Sequence, residues 1–214
     1  MRLLTLLRHA ESEANYQDIL QGQVDSPLTP QGLAQARRLA ERWRALGVSF
    51  DRIISSPLLR ARQTAEAVGE ALGMPVTVDP IWTERSFGQL EGRRYAEIQQ
   101  LDPPVDYYEP YEAIGQTGES QVDLYLRACQ ALQGLLRQSE GNYLVVSHGA
   151  LLGKVMYAIF GITPQGHYYS PMFIFENLTY VQLGYQAKRR QWQLLCFCNP
   201  DLWDGKLPVM ASVP

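Results

Sequence analysis

A chain of 214 residues that is 46% hydrophobic can bury a sizeable core, and its 19 Lys+Arg against 22 Asp+Glu give a net charge of −3, without the basic excess that bulk electrostatic binding to nucleic acid requires. Three cysteines, Cys129, Cys196 and Cys198, are the wrong number for a disulfide framework or a zinc knuckle. The last two flank Phe197 in a β-rich stretch and are expected on opposite faces. Arg8 and Glu11 break the N-terminal apolar run, and His148, Gly149 and Lys154 interrupt the stretch from Tyr143 to Ile162, so neither a signal peptide nor a membrane span is expected. The expectation is a cytoplasmic, single-domain protein over 1–214, monomeric or homodimeric, whose partner is small.

Leu3 to Leu7 is a nearly continuous apolar run, as a strand buried on both faces requires, and it ends in Arg8, His9 and Glu11. Residues just after a buried strand of an open α/β sheet face the crevice where ligands bind. Taken alone, an Arg-His pair also reads as an ordinary strand end. A polar loop with Asn15, Gln21, Gly22 and Asp25 leads to Thr29 and Pro30, an N-cap and first helical residue, and the helix runs to about Leu46 before Gly47. Asp51 to Ser55 is the second strand. Ser56 before Pro57 reads as a helix start, with Arg60 one turn inside and able to reach back over the helix N-terminus, a place that favours anions. The alternative for Arg60 is a solvated helix charge.

Val76 to Val78 is a third strand, and Trp82 to Gly92, with two glycines and two acids between bulky apolar residues, reads as a folded functional loop. Arg93 to Leu101 is expected to be a short helix. The aromatic and acidic stretch from Tyr107 to Glu112 is either a lid or an ordinary surface loop; together the region of about 82–118 is expected to form a cap-like insertion. A long helix follows Gly118, Glu119 and Ser120 to about Ser139, then a strand from Tyr143 to Val146, the exit Ser147, His148, Gly149, and a helix through Phe160. Met172 to Glu176, Asn177 to Gly184 and Trp192 to Cys198 read as antiparallel edge strands. His167 is expected to be incidental, and the residues from Asn199 a loose tail. The fold class is α/β: a three-layer sandwich on a mostly parallel sheet with an antiparallel edge.

Three strand exits would gather Arg8, His9, Arg60 and His148, with Glu84 arriving from its loop. Two guanidiniums and two imidazoles around one point suit a compact, multiply charged anion, and a phosphoryl group matches the fork of arginine. An imidazole can attack phosphorus, splitting the transfer into two easier steps. Fixed positive donors then stabilise the spread charge of the transition state, and Glu84 is placed to protonate the leaving oxygen. This chemistry calls for no metal and no cofactor. Ser147 beside His148 does not make a serine hydrolase, because the G-x-S-x-G elbow is missing.

The fragments Arg8, His9, Ala10, Glu11, Ser12, Asn15; Asp25, Pro27, Leu28, Thr29, Gly32; Ser55 to Leu58, Arg60, Ala61, Gln63 to Ala65; Glu84, Phe87, Gly88, Glu91, Gly92; Gly118 to Ser120; and Val146 to Gly149 occur in the order found in the histidine phosphatase superfamily, also called phosphoglycerate-mutase-like, which the sequence resembles. That resemblance implies a phosphohistidine on His9 and a phosphoryl group held by Arg8, Arg60 and His148. Glu84 becomes the acid and base, and Asn15, Gln21, Gly22, Gly149 and Asn177 pocket members. Ala10 departs from the usual Gly, and its methyl would narrow the pocket or change the backbone angle. The Glu84 loop resembles that of broad-specificity and ribazole-phosphate phosphatases rather than the Tyr, Gly, Leu, Gly, Lys pattern of mutases, so hydrolysis of a small phosphorylated metabolite is the leading expectation. A phosphoglycerate mutase and a catalytically silent binder of phosphate esters are the alternatives. Residues 107–112 with Gln21, Arg85, Gln89 and Tyr95 are candidates for the leaving-group side.

Overall fold

A computed structural model describes residues 1–165 and 171–199. The elements are β1 (Arg2–Arg8), α1 (Glu13–Tyr16), α2 (Pro30–Ala45), β2 (Arg52–Ser55), α3 (Leu59–Leu72), β3 (Val76–Val78), α4 (Tyr95–Ile98), α5 (Gln121–Leu136), β4 (Asn142–Ser147), α6 (Gly149–Phe160), β5 (Tyr180–Gln186) and β6 (Gln191–Cys198). The strands form one sheet in the order β3-β2-β4-β1-β5-β6. β3, β2, β4 and β1 are mutually parallel, and β5 and β6 join antiparallel beyond β1.

Alternation along the central strands makes the three layers. Leu4, Leu6, Tyr143 and Val145 face a core shared with Leu124, Leu132, Leu151 and Val155 of α5 and α6. Leu7, Leu144, Val146 and Ile53 face the opposite way, toward Ala36, Trp43, Ala65 and Val68 of α2 and α3. Local chemistry sets the helix ends. Thr29 caps α2 through Gly32 N with Pro30 at the first position, and Ser120 with Asp123 forms a capping box on α5. Leu20, Leu90, Ile98 and Ile114 form a third, smaller cluster under residues 87–107.

Several expectations are corrected. α3 begins at Leu59, not at Ser56-Pro57, because the Ser56 hydroxyl serves His148 and the Leu58 amide instead of capping a first turn. The expected helix 93–101 is only the single turn of α4. Residues 172–176 form no strand: their backbone lies along α6, where an added Cβ at Gly149 or Gly153 would touch the carbonyls of Phe175 and Phe173 at 3.5 Å. Cys196 and Cys198 share a face, as positions two apart in a strand must, and both pack on the Trp43 side as free thiols. The readings for His167 and for the tail beyond Asn199 fall outside the described residues.

Candidate active site

β1, β4 and β2 are adjacent parallel strands, so their C-terminal exits converge. His9 N donates to the carbonyl of Ser147 at 3.0 Å, which sets the His9 and His148 rings 5.2 Å apart between centroids. A cavity of about 200 Å³ opens above them, lined by Arg8, His9, Asn15, Gln21, Gly22, Arg60, Glu84 and Gly149, together with Leu20, Phe87, Tyr95 and Ala150. Nearly every residue singled out in the sequence thus meets at one point. His148 does not line the cavity; it lies behind it, fully buried.

The hydrogen bonds fix what each group can do. His9 Nδ1 lies 2.7 Å from the carbonyl oxygen of Ala10. A carbonyl only accepts, so Nδ1 carries the proton and Nε2 keeps its lone pair. Burial first, then the charges of Arg8 and Arg60, lower the His9 pKa well below 6.5, so the ring is neutral at physiological pH. Burial, then Arg60, does the same to His148, whose Nε2 is 2.7 Å from Ser56 Oγ. Ser56 is a site residue to which the sequence reading gave no role beyond a helix start and a place in a family fragment; nothing local to Ser56-Pro57 signals a histidine 92 positions away.

Arg8 donates through Nη1 to the carbonyl of Phe175 at 2.5 Å. Arg60 donates to the carbonyls of Gly22 (2.7 Å) and Val24 (2.9 Å); burial lowers its pKa to about 10, and it remains charged. Gly22 therefore contributes a carbonyl, at φ +50°, where an added Cβ would sit 2.3 Å from Glu91 Oε1. Among the described residues, Arg8 Nε, Arg60 Nε and His148 Nδ1 are buried without a hydrogen-bond partner. Orphaned buried polar groups are costly, and the two guanidinium N–H donors, on residues that line the cavity, suit an acceptor-rich anion.

Glu84 closes the opposite side. Its carboxylate accepts from Ala150 N (3.2 Å) and Leu151 N (3.1 Å) at the start of α6, and from Arg85 N (2.8 Å). Arg127 holds the loop beneath it. Its guanidinium donates to the carbonyls of Ile81, Thr83 and Glu84 and forms a bidentate pair with Glu119 at 2.7 Å on each arm. Glu119 also accepts from Ser86 N at 2.9 Å. The Gly118-Glu119-Ser120 fragment is thereby explained, and Arg127, unremarked in the sequence, emerges as its partner.

Asn15 Oδ1 accepts from Ser12 and from Asn177 Nδ2 (3.2 Å), and Asn177 Nδ2 also donates to His9 O at 3.0 Å. Gln21 Oε1 accepts from Ser12 Oγ at 2.8 Å. Ala10 neither lines the cavity nor takes a positive φ; its methyl is buried in the α2–α3 core, so the departure from Gly puts no methyl into the pocket. Gln89 is exposed and lines no part of the site. Among the described residues no group of three or more His, Cys, Asp or Glu gathers as metal ligands, and no helix is long and apolar enough to cross a membrane.

Comparison with known proteins agrees with this geometry. Residues 4–198 match the histidine phosphatase superfamily (branch 1), and the chain belongs to that family. It is 38% identical over 164 residues to a protein of Enterobacter sp. (strain 638) named as a phosphoglycerate mutase, GpmB, covering 73% of this chain and 74% of that one. It is 35% identical over 171 residues to a protein of Hydrogenobacter thermophilus named as a phosphoserine phosphatase, covering 76% and 80%. Among solved structures, a mycobacterial glucosyl-3-phosphoglycerate phosphatase in complex with VO3 superposes with a TM-score of 0.77 at 28% identity, covering 91% of this chain and 97% of that one.

Proposed function

We propose that the protein is a phosphomonoesterase that hydrolyses small phosphorylated metabolites by way of a phosphohistidine on His9. The observation that carries this reading is the tautomer of His9. Its Nδ1 proton is committed to the Ala10 carbonyl, leaving Nε2 as the nucleophile in a cavity walled by two guanidiniums and a carboxyl group. In the first step Nε2 attacks phosphorus, the ester P–O bond breaks, and Glu84 protonates the departing oxygen. Arg8 and Arg60 stabilise the charge on the equatorial oxygens, with His148 behind them. In the second step Glu84 takes a proton from water as it attacks the phosphohistidine, releasing inorganic phosphate and restoring His9. Asn15, Gln21 and Gly149 line the phosphate site, Gly22 holds Arg60 through its carbonyl, and residues 82–118 act as a cap over the cavity. The protein named as a phosphoserine phosphatase and the mycobacterial phosphatase support hydrolysis.

The mutase reading rests on the relative named as a phosphoglycerate mutase. In a mutase the phosphohistidine returns its phosphoryl group to a second hydroxyl instead of water. Purified protein incubated with p-nitrophenyl phosphate and a panel of sugar, glycerate and amino-acid phosphates, with and without a chelator, separates the two. Chelator-resistant phosphate release that disappears in His9→Ala is the expected result. Interconversion of 3- and 2-phosphoglycerate faster than phosphate release would overturn hydrolysis in favour of the mutase.

A further inference from the structure

Beside the phosphate-sized cavity lies a larger hollow of about 260 Å³ that shares Gly149 and Ala150 with it. Much of its wall is apolar and aromatic, including Tyr157, Phe173 and Phe175. Two cations, Lys154 and Arg85, line the same hollow although only 7% and 3% exposed. Lys154 Nζ stands 4.2 Å above the Tyr157 ring, and Arg85 donates through Nε and Nη1 to the carbonyls of Glu119 and Tyr107. Gln121, 6% exposed, also lines the hollow, and its Oε1 is buried without a hydrogen-bond partner among the described residues. Burial, and after it the charge of Arg85, lowers the Lys154 pKa to about 8, so the two cations feel each other. Glu119 and Glu84 partly offset the charge of Arg85, but no carboxylate is among the described residues that line the hollow itself, and a cationic lining with apolar walls suits an anion carried on an apolar body. Neither cation is used in the phosphoryl-transfer steps above.

We propose that this hollow is the leaving-group subsite, and that it selects phosphomonoesters whose alcohol has an apolar, aromatic-sized body bearing a carboxylate. The carboxylate pairs with Lys154 and Arg85, the body packs on Tyr157 and Phe173, and a hydroxyl or amine of the alcohol donates to Gln121 Oε1. The inference rests on the phosphomonoesterase reading, because it lets the ester oxygen leave across the wall formed by Gly149 and Ala150.

The test compares phenyl phosphate with its meta- and para-carboxylated counterparts. The readout is the ratio of kcat/KM for the better carboxyphenyl ester to that for phenyl phosphate, which cancels any general loss of activity in a variant. The wild-type ratio is expected to be at least about tenfold, the scale of one charge-assisted contact. It should collapse toward one in Lys154→Met, and the charge-conserving Lys154→Arg should keep most of it. A wild-type ratio near one, or a preference that Lys154→Met leaves intact, would overturn the subsite. If the wild type turns over none of the esters, the phosphatase reading has failed, and the esters then serve as ligands in calorimetry. Tighter wild-type binding of the carboxylated ester, lost in Lys154→Met, would still support the subsite, and equal binding would reject it.

Discussion

His9 and His148 show how burial converts two common side chains into specialised ones. Both are held neutral in the fold, mainly by loss of water and next by neighbouring guanidiniums. In the unfolded chain each takes up a proton near its ordinary pKa of 6.5. As pH falls below that value the unfolded state therefore binds more protons than the folded one, and stability is lost until the folded pKa values are reached. Each histidine contributes a slope of up to about 1.4 kcal/mol per pH unit in that window. Urea unfolding of His148→Gln, measured from neutral to mildly acid pH, should show a slope shallower than the wild type by about that amount. An unchanged slope would mean that His148 is protonated in the fold. Gly22 makes a second case at this scale: Gly22→Ala forces a Cβ into the left-handed region and against Glu91. It should shift the carbonyl under Arg60 and raise KM for phosphate esters at least about tenfold, a cost of about 1.4 kcal/mol in binding. A KM within twofold of the wild type would show that Arg60 does not depend on that turn.

At the scale of elements, the acid-bearing loop is held by α5. Arg127 ties the carbonyls of Ile81, Thr83 and Glu84 to Glu119, and the side chains of Arg127 and Glu119 are 18% and 20% exposed, so the pair is well sheltered from solvent. Arg127→Met should destabilise the protein by at least about 2 kcal/mol, since it strands Glu119 and three carbonyls. Its catalytic signature separates positioning from mere loosening. In the mechanism proposed above, a poor leaving group such as an alkyl alcohol needs the proton of Glu84, whereas p-nitrophenolate does not. The variant should therefore lose at least about tenfold more kcat on an alkyl phosphate than on p-nitrophenyl phosphate, as one misplaced proton-transfer group would cause. An equal loss on both substrates would confine Arg127 to stability. The sequence made β1, β2, β4, α2, α5 and α6 legible because each combines a clear apolar period with a cap or stop, as Thr29-Pro30 and Ser120 do. It misplaced the start of α3 and the segment 172–176 because there tertiary demands override local signals. Ser56 is taken by His148, and the Phe175 carbonyl is taken by Arg8 instead of a strand partner.

For the whole molecule, the arrangement of the sheet makes the site. Placing β1 between β4 and the antiparallel β5 puts the His9 exit at the middle of the sheet, with α2 and α3 on one face and α5 and α6 on the other. Arg8, His9 and His148 were legible because they sit at strand exits, and Arg60 because it lies in the first turn of the helix after one, where position in the fold follows from position in the chain. The carbonyls under Arg60, the hydroxyl behind His148 and the second hollow arise from contacts between distant segments and leave no local trace. Trp43, fully buried edge-on to Phe50 and Tyr180, anchors the α2 face away from the chemistry. Trp43→Ala should cost about 3–5 kcal/mol in urea unfolding, while KM of the remaining folded protein stays within about threefold. A rise in KM matching the loss of stability would mean that the face and the site are coupled. The central claim is a covalent phosphohistidine, and the most direct measurement is an alkaline quench during turnover followed by mass spectrometry of the peptide containing His9. A phosphoryl group on His9 of the wild type that is absent from His9→Ala is the predicted result. Phosphate release with no adduct on His9, or with the adduct on His148, would contradict it.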